Sequence, residues 1–390
     1  MTTTTPTWPS RRSRRSTVEV QFGADRADLL QAALLTGDPP ADAVIDEIHE
    51  RGRHVRVAFN QGIAHGLASL TDPPPAVAAL LHHVETTPEY VDDALLDEGS
   101  LPFFTKPAAV TAVSLSAGAL VRTYQSPSIS TVLDMTGRLV EGAPRRLQET
   151  GKWLNAAMLP GSMRRGEPGY VGTLQVRLLH AAMRRLARTR GYDEAAFGAP
   201  INQVDLARTW MDFTLTSLKA EQAMGFDITT KEQDSLYRYW WYVAHVLGVE
   251  PNLVEGITGN AEAQRVDDLL QSVTGPLIPQ ASTLTAATIA AVAERLHELQ
   301  NVPPAAATAA LRALTRRIHG RELSGELSVP EGRLADRLVA AAVPVIARKR
   351  AKLRADPVAW QEEQRRNIDF ARQRTTAPDS PTGYEHNAAA

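Results

Sequence analysis

The chain has 390 residues, of which 43% are hydrophobic and 22% charged, a composition typical of a globular protein rather than of a disordered or fibrous one. The formal net charge of −2 gives no overall attraction to nucleic acid or to an anionic membrane, so we expect no nucleic-acid partner, and membrane binding would need a local basic patch. The absence of cysteine excludes disulfides, thiolate nucleophiles, iron–sulfur clusters and zinc–thiolate sites.

The first sixteen residues, MTTTTPTWPSRRSRRS, contain two Arg pairs, as the start of a twin-arginine export signal does. An export signal continues with an apolar run, whereas this sequence continues TVEVQFGADRADL, which is polar and charged. We therefore expect residues 1–16 to form a disordered basic arm that is not cleaved. No stretch reaches eighteen uncharged apolar residues, so the sequence predicts no transmembrane span and a cytoplasmic protein.

Short helices are predicted along the first part of the chain. Between residues 24 and 85, apolar residues recur at three- and four-residue spacing, and Pro and Gly clusters interrupt them. The segment AAVTAVSLSAGALVRTY, bounded by Pro107 and Pro127, is rich in small apolar residues and predicts a central core helix. Helices are predicted to begin at Pro127 and around Pro144, because Pro is favoured at the first helical position.

Helical patterns continue along the rest of the chain. Residues 170–191 form one predicted helix, Asn202 or Gln203 can cap the next, and residues 230–248 form another. Strand patterns are almost absent, so the sequence predicts an all-α protein.

The predicted helices form one domain, because no linker and no internal repeat divides them. We expect this domain to cover residues 17–374, followed by a disordered tail at 375–390.

One imidazole, His180, stands in the predicted helix YVGTLQVRLLHAAMRRLARTRG. On a helix it shares a face with Val176, Arg177, Met183 and Arg184. A neutral imidazole in an apolar wall is a normal ligand of haem iron, and the two arginines can pair haem propionates. A core histidine with a satisfied hydrogen bond produces the same pattern and is the commoner outcome, so the pattern alone leaves both interpretations open.

A second candidate group lies upstream in APRRLQETGKW. Arg146, Glu149 and Thr150 fall at i, i+3 and i+4, so a cation, a carboxyl and a hydroxyl share one helix face. A solvent-exposed ion pair gives the same spacing.

The aromatic run YRYWWYVAHVLG places Tyr237, Trp240, Trp241 and His245 on a broad helix surface. Core packing is the favoured interpretation, and His245 is the main rival of His180 as an axial ligand. The sequence has no Walker loop, no GxGxxG after a strand and no GxSxG, so phosphate binding and serine hydrolysis find no support.

Four stretches resemble the MpaB/latex-clearing-protein oxygenase family in order and spacing. They are SPSISTVLDMTGRLVEGAPRRLQETGKW, LPGSMRRGEPGYVGTLQVRLLHAAMRR, GAPINQVDLARTWMDFT and YWWYVAHVLGVEPNL, which together cover about residues 126–253. The most specific pieces are QVRLLHAAMRR and PINQVDLART.

The resemblance implies a globin-like helical core around a b-type haem, with additional helices, and it implies that His180 is the axial iron ligand. It also implies a distal face on the preceding helix. Arg146 and Thr150 match the distal Arg and Thr of the rubber-cleaving branch, whereas Glu149 stands where that branch has Lys. The acidic base of that branch has no clear match in SPSISTVLDM.

We therefore expect a haem b-dependent oxygenase that uses O₂ on a small lipophilic substrate of isoprenoid, lipid or polyketide-like type. Two alternatives remain. One is a haem-dependent tailoring enzyme that is not a dioxygenase, and the other is a non-catalytic haem-binding or helical interaction protein.

Overall fold

A computed structural model describes residues 7–135 and 143–376 of the chain. Within these two ranges the protein consists of helices and contains no strand, which confirms the all-α prediction. The first range contains α1 (Arg15–Phe22), α2 (Ala24–Leu35), α3 (Pro39–Arg51), α4 (Arg53–His65), α5 (Pro75–Glu85), α6 (Asp93–Glu98), α7 (Ala108–Val113), α8 (Val121–Thr123) and α9 (Pro127–Met135). The second contains α10 (Ala143–Met158), α11 (Pro168–Thr189), α12 (Glu194–Phe197), α13 (Gln203–Met211), α14 (Ser217–Ala223), α15 (Thr230–Leu247), α16 (Asn260–Gln271), α17 (Pro279–Gln300), α18 (Pro304–His319), α19 (Arg321–Glu326), α20 (Arg333–Arg354) and α21 (Pro357–Thr376).

Helix boundaries follow local chemistry that the sequence carries. Thr229 begins α15 with a capping box, in which its hydroxyl accepts from the backbone N–H of Glu232 and the Glu232 carboxylate accepts from the backbone N–H of Thr229. The same helix ends at Gly248, whose φ of 82° is the left-handed conformation that favours glycine. Asn202 caps α13 by accepting from the backbone N–H of Asp205, as the sequence predicted.

Helix α11 lies in the middle of the helical packing. It contacts α3, α10 and α15 along its length, and it adds its buried residues to the largest hydrophobic core. Leu174, Leu178 and Ala181 are almost fully buried there. Burial of each leucine contributes about 1.5–3 kcal/mol, so the helix that carries His180 is held by packing on several sides.

The predicted central core helix contains a π-helical segment. Residues Ser114–Leu120 form π-helical turns between α7 and α8, and they pack against a second π-helical segment, Asp212–Thr216, between α13 and α14. At Gly118 an added Cβ would lie 2.9 Å from the Cβ of Ala220, closer than real Cβ contacts allow. Glycine therefore lets α14 approach this helix closely.

The N-terminal segment corrects the expectation of a disordered arm. From residue 7 onward the chain lies against the protein, and the buried Arg12 donates from Nη2 to Oδ2 of Asp205 at 3.1 Å and to Oγ of Ser128 at 2.9 Å. Its Nε also donates to the carbonyl of Phe197 at 2.9 Å. A carboxylate far along the chain thus fixes one arginine of the basic segment. Residues 1–6 lie outside the described residues.

The C-terminal helix α21 extends to Thr376, two residues beyond the predicted domain end at 374, and the rest of the expected tail lies outside the described residues. Among the described helices, none is by itself long and apolar enough to cross a bilayer. The segments Asp93–Phe104 and Ala108–Thr123 reach that length and composition only together, with an 85° bend between them.

Candidate functional site

Helices α10 and α11 form a hairpin that positions the predicted site residues. Nε1 of Trp153 on α10 donates to Oγ1 of Thr173 on α11 at 3.1 Å. Seven residues make almost two helical turns, so Arg146 lies on the same face as Trp153, and His180 lies on the same face as Thr173. In an antiparallel hairpin, the step from Trp153 back to Arg146 and the step from Thr173 forward to His180 run toward the same end. Helix periodicity from this contact therefore predicts that Arg146 and His180 lie at the same level of the hairpin.

The His180 side chain is half-buried, and the side chains around it determine whether it could bind a metal ion together with other protein ligands. Val176, one turn before it, and Ala181, beside it, are buried. Among the described residues, no group of three His, Cys, Asp or Glu side chains could hold a metal ion. His180 could therefore bind iron only as one ligand of a group that supplies the remaining donors itself. A single imidazole on a helix packed on several sides fits the axial position of a haem in this respect.

The Arg146 guanidinium is directed by an aromatic neighbour. Its Nη2 donates to Oη of Tyr124 at 2.8 Å, and its Cζ lies 5.7 Å from the centre of the Tyr124 ring. The same hydroxyl accepts from Arg146 and lies 2.9 Å from Oγ1 of Thr288, a second hydrogen bond in which either hydroxyl can be the donor. This arrangement fixes one edge of the guanidinium.

Glu149 has an ion-pair partner on its own helix. Its Oε1 accepts from Nε of Arg145 at 2.7 Å, and the Glu149 side chain is only 15% exposed whereas that of Arg145 is 57% exposed. The ion pair is formed with Arg145 at i, i+4 and not with Arg146, the cation whose spacing was considered from the sequence, and the carboxylate lies largely inside the surface. Thr150, the next residue, is half-buried.

The two arginines next to His180 are both bound to carboxylates of α3 or its N-cap. Nε and Nη2 of Arg177 donate to the two carboxylate oxygens of Asp38 at 2.7 and 2.9 Å. Nε of Arg184 donates to Asp42 at 2.7 Å, and its Nη1 donates to the carbonyl of Ile201 at 3.0 Å. Both arginines are fully or nearly fully buried. All three nitrogens of the Arg177 guanidinium already donate, so Arg177 would have to release a partner to bind a haem propionate. Nη2 of the buried Arg184, by contrast, has no hydrogen-bond partner among the described residues. Sequence reasoning missed these acids because they lie far upstream of α11.

His245, the rival ligand, is part of α15 and faces His83 on α5. Its ring centre is 5.3 Å from that of His83 and 6.2 Å from that of Tyr242, to which it is nearly parallel. Burial lowers the pKa of His245 to about 4, and the charges of His83 and Arg177 act in the same direction. The imidazole is therefore neutral at pH 7 and lies beside the rings of His83 and Tyr242.

The remaining aromatic residues of this run pack in the core, as predicted. Tyr237, Trp240 and Trp241 are buried, and Nε1 of Trp210 donates to the carbonyl of Trp240 at 2.9 Å.

A buried ion pair near the hairpin was not found from the sequence. Nζ of Lys106 lies 2.9 Å from Oε2 of Glu221, and both side chains are almost fully buried. They line a cavity of about 10 Å³, together with Phe213 and Trp240, that has room for one water molecule. Burial raises the pKa of Glu221, while Lys106 opposes that rise. Lys106 and Glu221 are too far apart in the sequence for any local pattern to reveal this ion pair.

The helices that form this site also carry a family signature. Residues 103–376 match the catalytic-domain model of a family described as ER-bound oxygenase mpaB/B'/Rubber oxygenase. The chain belongs to the mpaB/rubber oxygenase family. Membership confirms the resemblance seen in the sequence and makes the protein an oxidoreductase of the oxygenase class. The match includes the hairpin, α13 and α15, whereas α1–α6 precede it.

Similar proteins support the assignment to the mpaB/rubber oxygenase family. The rubber oxygenase of Streptomyces sp. (strain K30) is 24% identical over 344 residues, which span 84% of this chain and 80% of that protein. A solved structure of latex clearing protein in the closed state matches with a TM-score of 0.65 at 21% identity, and covers 86% of this chain and 91% of that one. The structural likeness shows that the fold is shared.

Proposed function

We propose that this protein is a haem b-dependent oxygenase that uses O₂ to oxidise or cleave a small lipophilic substrate. The observation that carries the proposal is the hairpin contact between Trp153 and Thr173 in a chain that belongs to an oxygenase family. Helix periodicity from this contact predicts that Arg146 and His180 lie at the same level of the hairpin. A bound haem would supply the iron at which O₂ is activated.

His180 would hold the iron. The absence of cysteine leaves an imidazole as the natural axial ligand, and packing on several sides restricts the movement of α11. The buried side chains of Val176 and Ala181 exclude water from the base of the imidazole, which keeps it in an apolar environment.

Arg146, Glu149 and Thr150 would form the opposite, O₂-binding side. Tyr124 anchors the Arg146 guanidinium, which restrains the position of this cation. The Thr150 hydroxyl can also donate. The Glu149 carboxylate can take up or release a proton, and its pair with Arg145 restrains its position.

We assign Arg177 and Arg184 a positioning role instead of the propionate-binding role expected from the sequence. Their bonds to Asp38 and Asp42 fasten α11 to α3 and so fix the helix that carries His180. Each guanidinium already has a carboxylate partner, Asp38 almost fully buried and Asp42 partly exposed, and these partners support the positioning role.

The substrate proposal rests on the relatives. One is named for oxidation of rubber and the other for clearing of latex, both of which are lipophilic materials. Glu149 in place of the distal Lys of the rubber-cleaving branch favours a different lipophilic substrate, such as an isoprenoid, a lipid or a polyketide-like molecule. We place the protein in the cytoplasm, and the use of Arg12 inside the folded protein supports retention of that segment.

Oxygen consumption by the haem-loaded protein tests the proposal. Candidate alkenes such as squalene, polyisoprene and an unsaturated fatty acid are offered with ¹⁸O₂, and products are analysed by mass spectrometry. Incorporation of both atoms supports a dioxygenase, and incorporation of one supports another haem-dependent tailoring activity. Haem binding without turnover of any alkene would favour the non-catalytic alternative.

A further inference from the structure

The outward face of α20 carries a stripe of exposed apolar side chains. Leu334, Leu338 and Val345 are 72%, 63% and 49% exposed, and Ala341 between them is exposed as well. Positions 334, 338, 341 and 345 follow the three- and four-residue spacing of a single helix face. Large aliphatic side chains at this spacing normally face a core, so their exposure needs an explanation.

The opposite face fixes the orientation of α20. Asp336 near its start accepts from Nη2 of Arg316 at 2.5 Å. Near its end, the buried Arg350 donates to Oγ1 of Thr105 at 3.0 Å, and Arg354 pairs with Glu232 at 2.7 Å. These bonds hold the helix against the rest of the protein, so the apolar stripe points away from it.

Cations surround the stripe. Helix α20 has seven Arg and Lys residues and one acidic residue, Asp336, which Arg316 already pairs. The cations that remain exposed on α20 are Arg333, Arg337, Arg348, Lys349 and Lys352. In a chain with a net charge of −2, this is a local concentration of positive charge. Inspection of the sequence did not reveal this patch, because its members are spread over twenty residues and meet only on the helix surface.

We infer that this face of α20 is a docking surface for an anionic lipid bilayer. Aliphatic side chains of a helix that lies in the plane of the interface insert below the headgroups, while Arg and Lys extend their stems toward the phosphates. The absence of unpaired acidic residues on α20 suits a negatively charged surface. Docking would bring the protein to the phase in which a lipophilic substrate dissolves. The surface itself stands on α20 alone and does not depend on haem binding.

Vesicle co-sedimentation of the purified full chain tests this inference. Vesicles of phosphatidylcholine alone are compared with vesicles that also contain phosphatidylserine, at low and at raised salt. We expect the protein to bind the phosphatidylserine vesicles, more weakly as salt rises, and to bind neutral vesicles far less.

Two variants of α20 separate the apolar and the electrostatic contributions. The double variant L334Q/L338Q is expected to lower the partition coefficient about tenfold or more. The triple variant R348Q/K349Q/K352Q is expected to lower binding to phosphatidylserine vesicles by about a hundredfold. If L334Q/L338Q also lowers Tm, K349E adds a negative charge to the same face and should weaken binding without touching an apolar contact.

Matched controls lie elsewhere on the surface. Val20 on α1 is 87% exposed, and Arg26, Arg53 and Lys231 are exposed cations on other helices. V20Q and R26Q/R53Q/K231Q should bind vesicles like the wild type. Wild-type protein that fails to bind phosphatidylserine vesicles, or α20 variants that bind them like the wild type, would overturn the inference. A dimer in light scattering that L334Q/L338Q dissociates, without vesicle binding, would overturn it in favour of a second copy of this chain.

Discussion

Trp153 on α10 donates its indole N–H to the hydroxyl of Thr173 on α11. Arg146 precedes Trp153 and His180 follows Thr173 by seven residues each, so helix periodicity puts both about two turns from this contact. The contact thus fixes the register in which α10 and α11 face each other. If the protein binds haem as proposed, this register would place the iron ligand on one helix and the distal residues on the other.

Replacing Glu149 tests the distal side. Glu149→Gln should leave haem content near the wild-type value and lower turnover about a hundredfold, because a positioned acid or base typically contributes that much. Glu149→Lys, which restores the residue of the rubber-cleaving branch, should change the absorption spectra of the reduced protein with CO and O₂. Arg145→Gln, which removes only the ion-pair partner, is the control. Wild-type spectra and turnover in both Glu149 variants would contradict a distal role for Glu149 and leave it only its ion pair with Arg145.

Removing the Arg177 guanidinium should destabilise the fold. Arg177→Gln leaves the buried Asp38 carboxylate without its bidentate partner, and loss of one half of a buried pair costs about 3–5 kcal/mol. Arg185→Gln, which breaks an exposed pair with Asp46, should cost less than about 1 kcal/mol. Urea unfolding measures both. Haem bound per folded chain should stay unchanged in Arg177→Gln, and its loss would restore the propionate-binding interpretation.

The N-terminal segment should contribute to stability through Arg12. Arg12→Gln removes a buried cation from Asp205, so we expect the free energy of unfolding to fall by about 3–5 kcal/mol. The exposed neighbour Arg14 provides the matched control, and Arg14→Gln should unfold like the wild type. Equal unfolding curves for the two variants would show that the segment can detach without cost.

Acid should weaken the fold partly through His319 on α18. Burial lowers the pKa of His319 to about 4, and its Nε2 lies 2.9 Å from the carbonyl oxygen of Ala117 in the first π-helical segment. The unfolded chain binds a proton near the ordinary pKa of 6.5, so between about 6.5 and 4 it binds more protons than the folded chain does. The stabilising contribution of the neutral imidazole is complete above about 6.5 and is lost as the pH falls toward 4.

The variant His319→Gln isolates this effect, because an amide can still donate to Ala117 but does not titrate. Thermal unfolding is followed from pH 7 down to about 4. The Tm of the wild type should fall more steeply than that of the variant. Parallel Tm curves would mean that His319 does not titrate as its burial implies.

The helices could be predicted because short-range sequence signals define their ends. Contacts between residues far apart in the sequence could not be predicted in this way. Pro127 and the Thr229 capping box act within a few residues, so α9 and α15 begin where the sequence indicates. The π-helical turns at Ser114–Leu120 lie where a second π-helical segment packs against them, and nothing local signals that contact.

The site residues show the same division. Helix spacing and family resemblance predict His180 and Arg146 as site residues, because both signals are carried by short stretches of sequence. The partner of Arg12, by contrast, lies 193 residues away, so neither the docked N-terminal segment nor the fastening of α11 to α3 was evident before the fold was known.

The absorption spectrum of the purified protein, with His180→Ala and His245→Ala beside it, tests the central claim most directly. Ferric, dithionite-reduced and CO-bound spectra are recorded, and haem is counted per chain by pyridine haemochrome. We predict a Soret band with about one b-type haem per wild-type chain, its loss or strong weakening in His180→Ala, and its retention in His245→Ala. A wild-type spectrum in His180→Ala together with loss of haem in His245→Ala would contradict the assignment of the iron ligand.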